Sequence, residues 1–231
     1  MSSLPIVLIT GQLLTDAVWQ PLRDAWPDRD IIVADNRSDD QIEGFAQRLL
    51  ENAPPKFALV AHAMGGFIAF EVMRRAPERV AKLALISTLA SADGPAQTAR
   101  RQGYIDLVEA GNFEQVVEER IPILFPEEKR SDARLLSIAR AMAADTGADT
   151  FLAQQRAIMA RIDSRPRLGE IAVPTLLIWG EKDGITSRAH HDEILDAIPG
   201  ARLEVVADAG HLPTIEAPEV VVPLLTDFVD G

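Results

Sequence analysis

Residues 61–66 read Ala-His-Ala-Met-Gly-Gly, and an aspartate and a histidine, Asp183 and His211, follow far downstream in that order. An apolar run at 57–61 enters the first motif, and a helical pattern opens at Met64. A strand, a tight turn and a helix in succession form the setting of a nucleophile elbow, where G-x-S-x-G presents a serine hydroxyl at the top of a sheet. Acyl transfer needs that nucleophile, a base to take its proton, a carboxylate to fix the base's tautomer, and backbone N–H groups to receive the oxyanion. Every slot but the first is filled. The serine position holds Ala63.

Asp183 lies in Trp-Gly-Glu-Lys-Asp-Gly, directly after an apolar run ending at Trp179. Aspartate beside glycine is most often a turn or capping residue. A histidine after the next strand shifts the balance toward an acid that orients a base. Glu181 is the nearest competitor but lies too close to the strand end. His211, in Ala-Gly-His-Leu-Pro, is held between Gly210 and Pro213 on a short loop. The other histidines fit the role less well: His62 is expected to pack beneath the turn, and His190 and His191 to be exposed at a polar helix start. After the first strand, Thr10-Gly11-Gln12-Leu13 makes a turn in which the N–H of Gln12, or in reserve that of Leu13, would point at a ligand oxygen. The N–H of Met64, at a helix start whose dipole favours negative charge, would be the second donor.

These residues need a sheet to bring them together. Apolar runs at 5–9, 30–34, 57–61, 83–87, 175–179 and 202–206 alternate with helical patterns at about 16–25, 40–52, 64–76, 188–198 and 217–229, as in parallel strands joined by crossover helices. The runs are apolar throughout, as expected for strands covered on both faces. Pro77 and Pro199 stop two of the helices. The alternation breaks between about 90 and 168, where helical segments at 96–110, 113–120, 131–145 and 148–162 read as a lid over the C-terminal edge of the sheet. Arg100 and Arg101 in this block could greet an anionic substrate, although adjacent arginines on a helix are more often solvated.

Composition excludes other chemistries. The chain has 231 residues, no cysteine and a net charge of −12, with a pI near 4.8. Disulfides, thiolate metal sites and cysteine nucleophiles are therefore out. No basic stripe suits a phosphate backbone, no segment has the roughly 20 apolar residues of a membrane span, and no carboxylate or histidine cluster has metal-ligand spacing. A single cytoplasmic α/β domain spanning 1–231, monomeric or homodimeric and without metal or cofactor, is the expectation.

The Thr-Gly-Gln turn with Trp19, Ala-His-Ala-Met-Gly-Gly, Gly-Glu-Lys-Asp and Ala-Gly-His-Leu together resemble the α/β-hydrolase family in its compact, helical-lid form. The resemblance covers essentially the whole chain. It implies a doubly wound, mostly parallel sheet of about six strands in the order 2-1-3-4-5-6, two initial strands of the family being absent. Position 63 and Gln12 would meet at the switch point, the crevice where such sheets bind ligands. The implied activity is hydrolysis of a small-molecule ester, lactone or thioester, with Leu13, Trp19, Leu124 and Phe125 as candidate substrate contacts. Ala61 replaces the first elbow glycine, a small-for-small change. Ala63 is the consequential departure. It fits a deliberate Ser→Ala replacement in an otherwise intact site, a natural non-catalytic binder, or a serine-independent lyase or cofactor-free oxygenase working through His211 and Asp183.

Overall fold

A computed structural model describes residues 4–231. Six parallel strands, β1 (Ile6–Ile9), β2 (Ile31–Val33), β3 (Phe57–His62), β4 (Val80–Ile86), β5 (Thr175–Gly180) and β6 (Arg202–Val206), pair in the order β2-β1-β3-β4-β5-β6. This is the α/β-hydrolase order expected from the sequence, and every pairing is parallel. Strand β4 begins earlier than its apolar run, because Val80 pairs with Phe57.

The two faces of the sheet follow from the side-chain period of two along each strand. Ile6, Leu8, Ala58, Val60, Ala84, Ile86, Leu176 and Ile178 face one core. Their neighbours Val7, Ile9, Leu59, Ala61, Leu83, Leu85 and Leu177 face the other. Helices α1 (Gln20–Ala25), α8 (Pro213–Glu216) and α9 (Pro218–Asp230) cover the first face. Helices α2 (Ile42–Asn52), α3 (Met64–Arg75) and α7 (Arg188–Ala197) cover the second. On α2 the spacing of Ile42, Phe45, Ala46 and Leu49 puts all four on one buried stripe, and burying Phe45 or Leu49 contributes about 1.5–3 kcal/mol each. Complete burial holds only for the central strands. The edge strands β2 and β6 are partly exposed, since each has a neighbour on one side alone.

Between β4 and β5 the chain forms α4 (Pro95–Glu109), α5 (Phe113–Leu124) and α6 (Ala133–Ala160). Gly147 interrupts α6 with φ +75 and ψ 169, so it behaves as the two helical segments the sequence suggested. Among the described residues no helix is long and apolar enough to cross a membrane.

The C-terminal end of β5 depends on one glycine. A Cβ on Gly180 would lie 2.0 Å from the carbonyl oxygen of Gly210 and 2.6 Å from that of Ala209. Both are backbone atoms of the loop that carries His211, so neither can swing away. Gly180→Ala is expected to lower unfolding free energy by about 3 kcal/mol, as overpacking against fixed atoms does. Urea denaturation measures this, and an unchanged midpoint would show that the two loops are not in contact.

Candidate active site

Strand β3 ends in a backbone turn at Ala63, whose φ of 50 and ψ of −114 lie outside the regions an L-residue prefers. The turn is tied on both sides. The Ala63 N–H donates to the Ile86 carbonyl at 2.9 Å, and its carbonyl accepts from the Gly66 N–H at 2.9 Å and the Thr88 hydroxyl at 2.7 Å. Gly65 and Gly66 make this possible. A Cβ at Gly65 would stand 2.6 Å from the Ile9 carbonyl oxygen, and one at Gly66 would run into the Thr88 side chain. Helix α3 thus starts pressed against the ends of β1 and β4.

Among the described residues, all four non-glycine residues with positive φ follow the C-terminal end of a strand: Leu13 after β1, Ala63 after β3, Ser87 after β4 and Asp208 after β6. Such conformations cost about 1–3 kcal/mol each and concentrate where a site demands them.

His211 and Asp183 meet directly. The His211 Nδ1 lies 3.0 and 2.9 Å from the two Asp183 carboxylate oxygens, and the Asp183 side chain is fully buried. Its remaining lone pairs accept the N–H groups of Ile185 at 2.7 Å and Thr186 at 3.1 Å, and the Thr186 hydroxyl. Burial by itself would raise the Asp183 pKa. His211 and these donors outweigh it and bring the pKa down to about 2. The carboxylate therefore stays ionised and holds Nδ1–H toward itself, leaving Nε2 as the free basic nitrogen.

The His211 loop is held from two directions. Its N–H donates to the Leu124 carbonyl of α5 at 2.8 Å. Glu216 accepts the N–H groups of Gly210 at 2.9 Å and Leu212 at 3.0 Å. His62 supports it from below, its Nε2–H donating to the His211 carbonyl at 2.7 Å while Trp19 meets the ring edge-on. Burial, reinforced by the charge of His211, lowers the His62 pKa to about 3.

A cavity of about 560 Å³ opens over these groups, lined by Gln12, Ala63, Met64, Ser87, Thr186, His211 and a largely apolar remainder. Gln12 and position 63 line the same cavity, and the adjoining Gly11 packs on the turn, where a Cβ built on it would stand 3.0 Å from the Ala63 Cβ. Among the described residues the N–H groups of Gln12 and Met64 donate to no protein atom, whereas the Leu13 N–H is taken by the Gln154 side chain at 3.1 Å. That removes Leu13 as the reserve donor. A depression of about 740 Å³ lies elsewhere, between α2, α3 and residues 161–171, and contains none of the chemistry-bearing residues named above.

Of the expected substrate contacts, Leu124 lines the main cavity. Leu13 lines a smaller adjoining one of about 310 Å³. Trp19 and Phe125 line neither: both are buried in the core beneath the site, so their part is support. His191, expected at the surface, is fully buried, its ring tilted on Trp179 and its Nδ1–H donating to the Ser187 carbonyl.

Sequence reasoning missed Glu216, Thr186, Thr88 and Arg120. Glu216 had a readable signal, an acid five positions past the loop histidine. Arg120 had none in its own neighbourhood of α5. Its guanidinium reaches the cavity and donates to the Gln12 side-chain oxygen at 3.0 Å. Burial, reinforced by Arg101, lowers its pKa to about 10, so it remains charged at neutral pH.

A model of the alpha/beta hydrolase family matches residues 11–224, and the chain belongs to that family. Esterases are among its relatives. A pimeloyl-[acyl-carrier protein] methyl ester esterase from Photobacterium profundum is 28% identical over 245 residues, covering 97% of this chain and 94% of the relative. A thermophilic esterase from Thermogutta terrifontis, solved with malate bound, superposes with a TM-score of 0.90 at 25% identity, covering 99% of this chain and 90% of the other. The enol-lactonase from Burkholderia xenovorans LB400 shares the fold, with a TM-score of 0.89 at 21% identity over 100% of this chain and 93% of its own.

Two measurements probe the site's framework. Ala63→Gly is expected to stabilise the protein by about 1 kcal/mol, because glycine tolerates the positive φ without strain. A destabilised variant would mean that the turn carries none. For His62, the unfolded chain titrates near 6.5 and the folded one near 3. Below 6.5 the unfolded state binds a proton that the native state refuses, so this contribution is full above 6.5 and declines as pH falls toward 3. From about pH 8 to about pH 5 the loss is about 2 kcal/mol. Urea unfolding at both pH values should show it, and His62→Gln should remove that part of the slope.

Proposed function

We propose that this site is built for carboxylic-ester hydrolysis through an acyl-enzyme, and that alanine at the nucleophile position leaves the chain disabled for it. The observation that carries this reading is His211, backed by the buried Asp183, facing the same cavity as the strained turn at Ala63. Strain at a turn that merely reverses the chain would bring no gain, whereas an elbow must hold one Cβ up into the cavity.

In the working arrangement a hydroxyl introduced by Ala63→Ser attacks the ester carbonyl while the His211 Nε2 takes its proton. Asp183 stabilises the imidazolium that forms. The tetrahedral oxyanion is received by the N–H groups of Gln12 and Met64, which no acceptor among the described residues occupies. His211 then returns the proton to the leaving alcohol and activates water for deacylation. A lactone or thioester suits the same geometry. Helices α4–α6 act as the lid, since the α5 end reaches the His211 loop through Leu124. Loss of a serine nucleophile costs on the order of 10⁶ in turnover, the remainder coming from oxyanion stabilisation and binding.

The test is hydrolysis of p-nitrophenyl butyrate by the chain as it stands and by Ala63→Ser. Turnover should rise by several orders of magnitude, and His211→Ala or Asp183→Asn in the serine background should cancel most of the gain. A serine variant as inert as the alanine form would sink the hydrolase reading and leave a binder or histidine-based chemistry.

A further inference from the structure

The chain carries a net charge of −12 and 35 acidic residues, yet among the described residues no carboxylate lines the cavity at Ala63. Two arginines do. Arg101, in α4, is matched: its guanidinium pairs with Asp93 and donates to Gln155 at 3.0 Å. Asp93 is shared, since Arg161 also pairs with it at 2.8 Å. That group of three sums to one positive charge.

Arg120, in α5, is unmatched. Among the described residues no carboxylate pairs with it: it donates to the neutral oxygen of Gln12, the Tyr104 side chain is a further neutral partner, and its Nε is buried without a partner. The rings of Tyr104 and Phe151 lie 5.2 and 5.8 Å from its Cζ. Aromatic faces attract a cation but accept no in-plane hydrogen bonds from it. A guanidinium has five N–H donors in a planar fork, and a buried cation that lacks an anion is destabilising. Such a group persists where an arriving anion completes it.

From this geometry we infer that the substrate is an ester or lactone bearing a free carboxylate, which Arg120 receives as the carbonyl reaches position 63. A planar fork takes a carboxylate bidentately. Arg101 lines the same cavity, and its group with Asp93 and Arg161 brings one further net positive charge close to it. The contact to Gln12 ties this anion site to the oxyanion turn, because the residue that Arg120 holds also supplies the N–H facing the carbonyl oxygen. The inference deepens the ester-hydrolase reading and rests on it for where the reacting carbonyl sits.

The chain's own alanine allows intact esters to be titrated by calorimetry. The probes are monomethyl glutarate and monomethyl adipate, with the corresponding dimethyl esters as neutral controls. The better monoanion should bind roughly ten- to a hundredfold more tightly than its diester, the range for hydrogen bonds to a charged group. Arg120→Gln should erase the difference, and Arg120→Lys, which keeps charge without the fork, should retain part of it. Diesters binding as well as the monoesters, no binding of either monoester at millimolar concentration, or a preference untouched by Arg120→Gln would overturn the assignment. The comparison on the unaltered protein decides even if the arginine variants fail to fold. Activity of Ala63→Ser separates the two readings. A serine variant active on neutral esters alongside absent anion preference refutes the carboxylate site alone. Anion preference with an inert serine variant supports the carboxylate site and refutes hydrolysis.

Discussion

Everything at this site depends on how closely α3 approaches the sheet. Gly65 and Gly66 let the helix start against the Ile9 carbonyl and the Thr88 side chain, at separations that leave no room for a Cβ. With the helix start fixed there, the chain leaving β3 has one residue in which to turn, and Ala63 takes a positive φ to do it. The cost, about 1–3 kcal/mol, is offset by the interactions that lock the turn: hydrogen bonds to Ile86, Gly66 and Thr88. Three consequences follow together. The Cβ of residue 63 is held at the cavity, the Met64 N–H is left unengaged at a helix start, and the Gly11 turn packs against the elbow so that Gln12 lines the same space.

The second constraint is electrostatic. The buried ionisable groups behind the base find partners both in their own loops and across them. Asp183 is kept ionised by His211 and by the turn that follows it. Glu216 is pushed toward the protonated form by burial and pulled back by the N–H groups it accepts and by Lys129. His62 is kept neutral by burial, which suits a ring that donates from Nε2 to the carbonyl of His211. These groups fix the base from the side of the sheet, and α5 fixes it from above through Leu124. Among the described residues, Gln12 Nε2 and Ser87 Oγ at the cavity are also buried without partners, but both are neutral, whereas Arg120 carries a charge that no carboxylate meets. An acidic chain whose described residues bring two guanidinium groups and no carboxylate to the lining of the cavity at Ala63 has a polarity set by its site and not by its composition.

The sequence by itself determined the fold class, the strand order implied by the family motifs, and the residues Ala63, His211, Gln12 and Met64 that the structure brings to one cavity, with Asp183 buried behind His211. Those signals are local: strand-length apolar runs, glycines at turns, and short motifs placed directly after strands. The tertiary structure alone decided which neighbours reach the site. Leu13 gives its N–H to Gln154, and Trp19 and Phe125 turn into the core instead of the cavity. His191 is buried because Trp179 covers it, although its helix start looked polar. Arg120 is unmatched because α5 crosses above the Gln12 turn, more than a hundred residues away in sequence. Local patterns follow from backbone geometry that each segment carries within itself. Side-chain partners across loops depend on the packing of segments far apart in sequence, and only the assembled core specifies that packing.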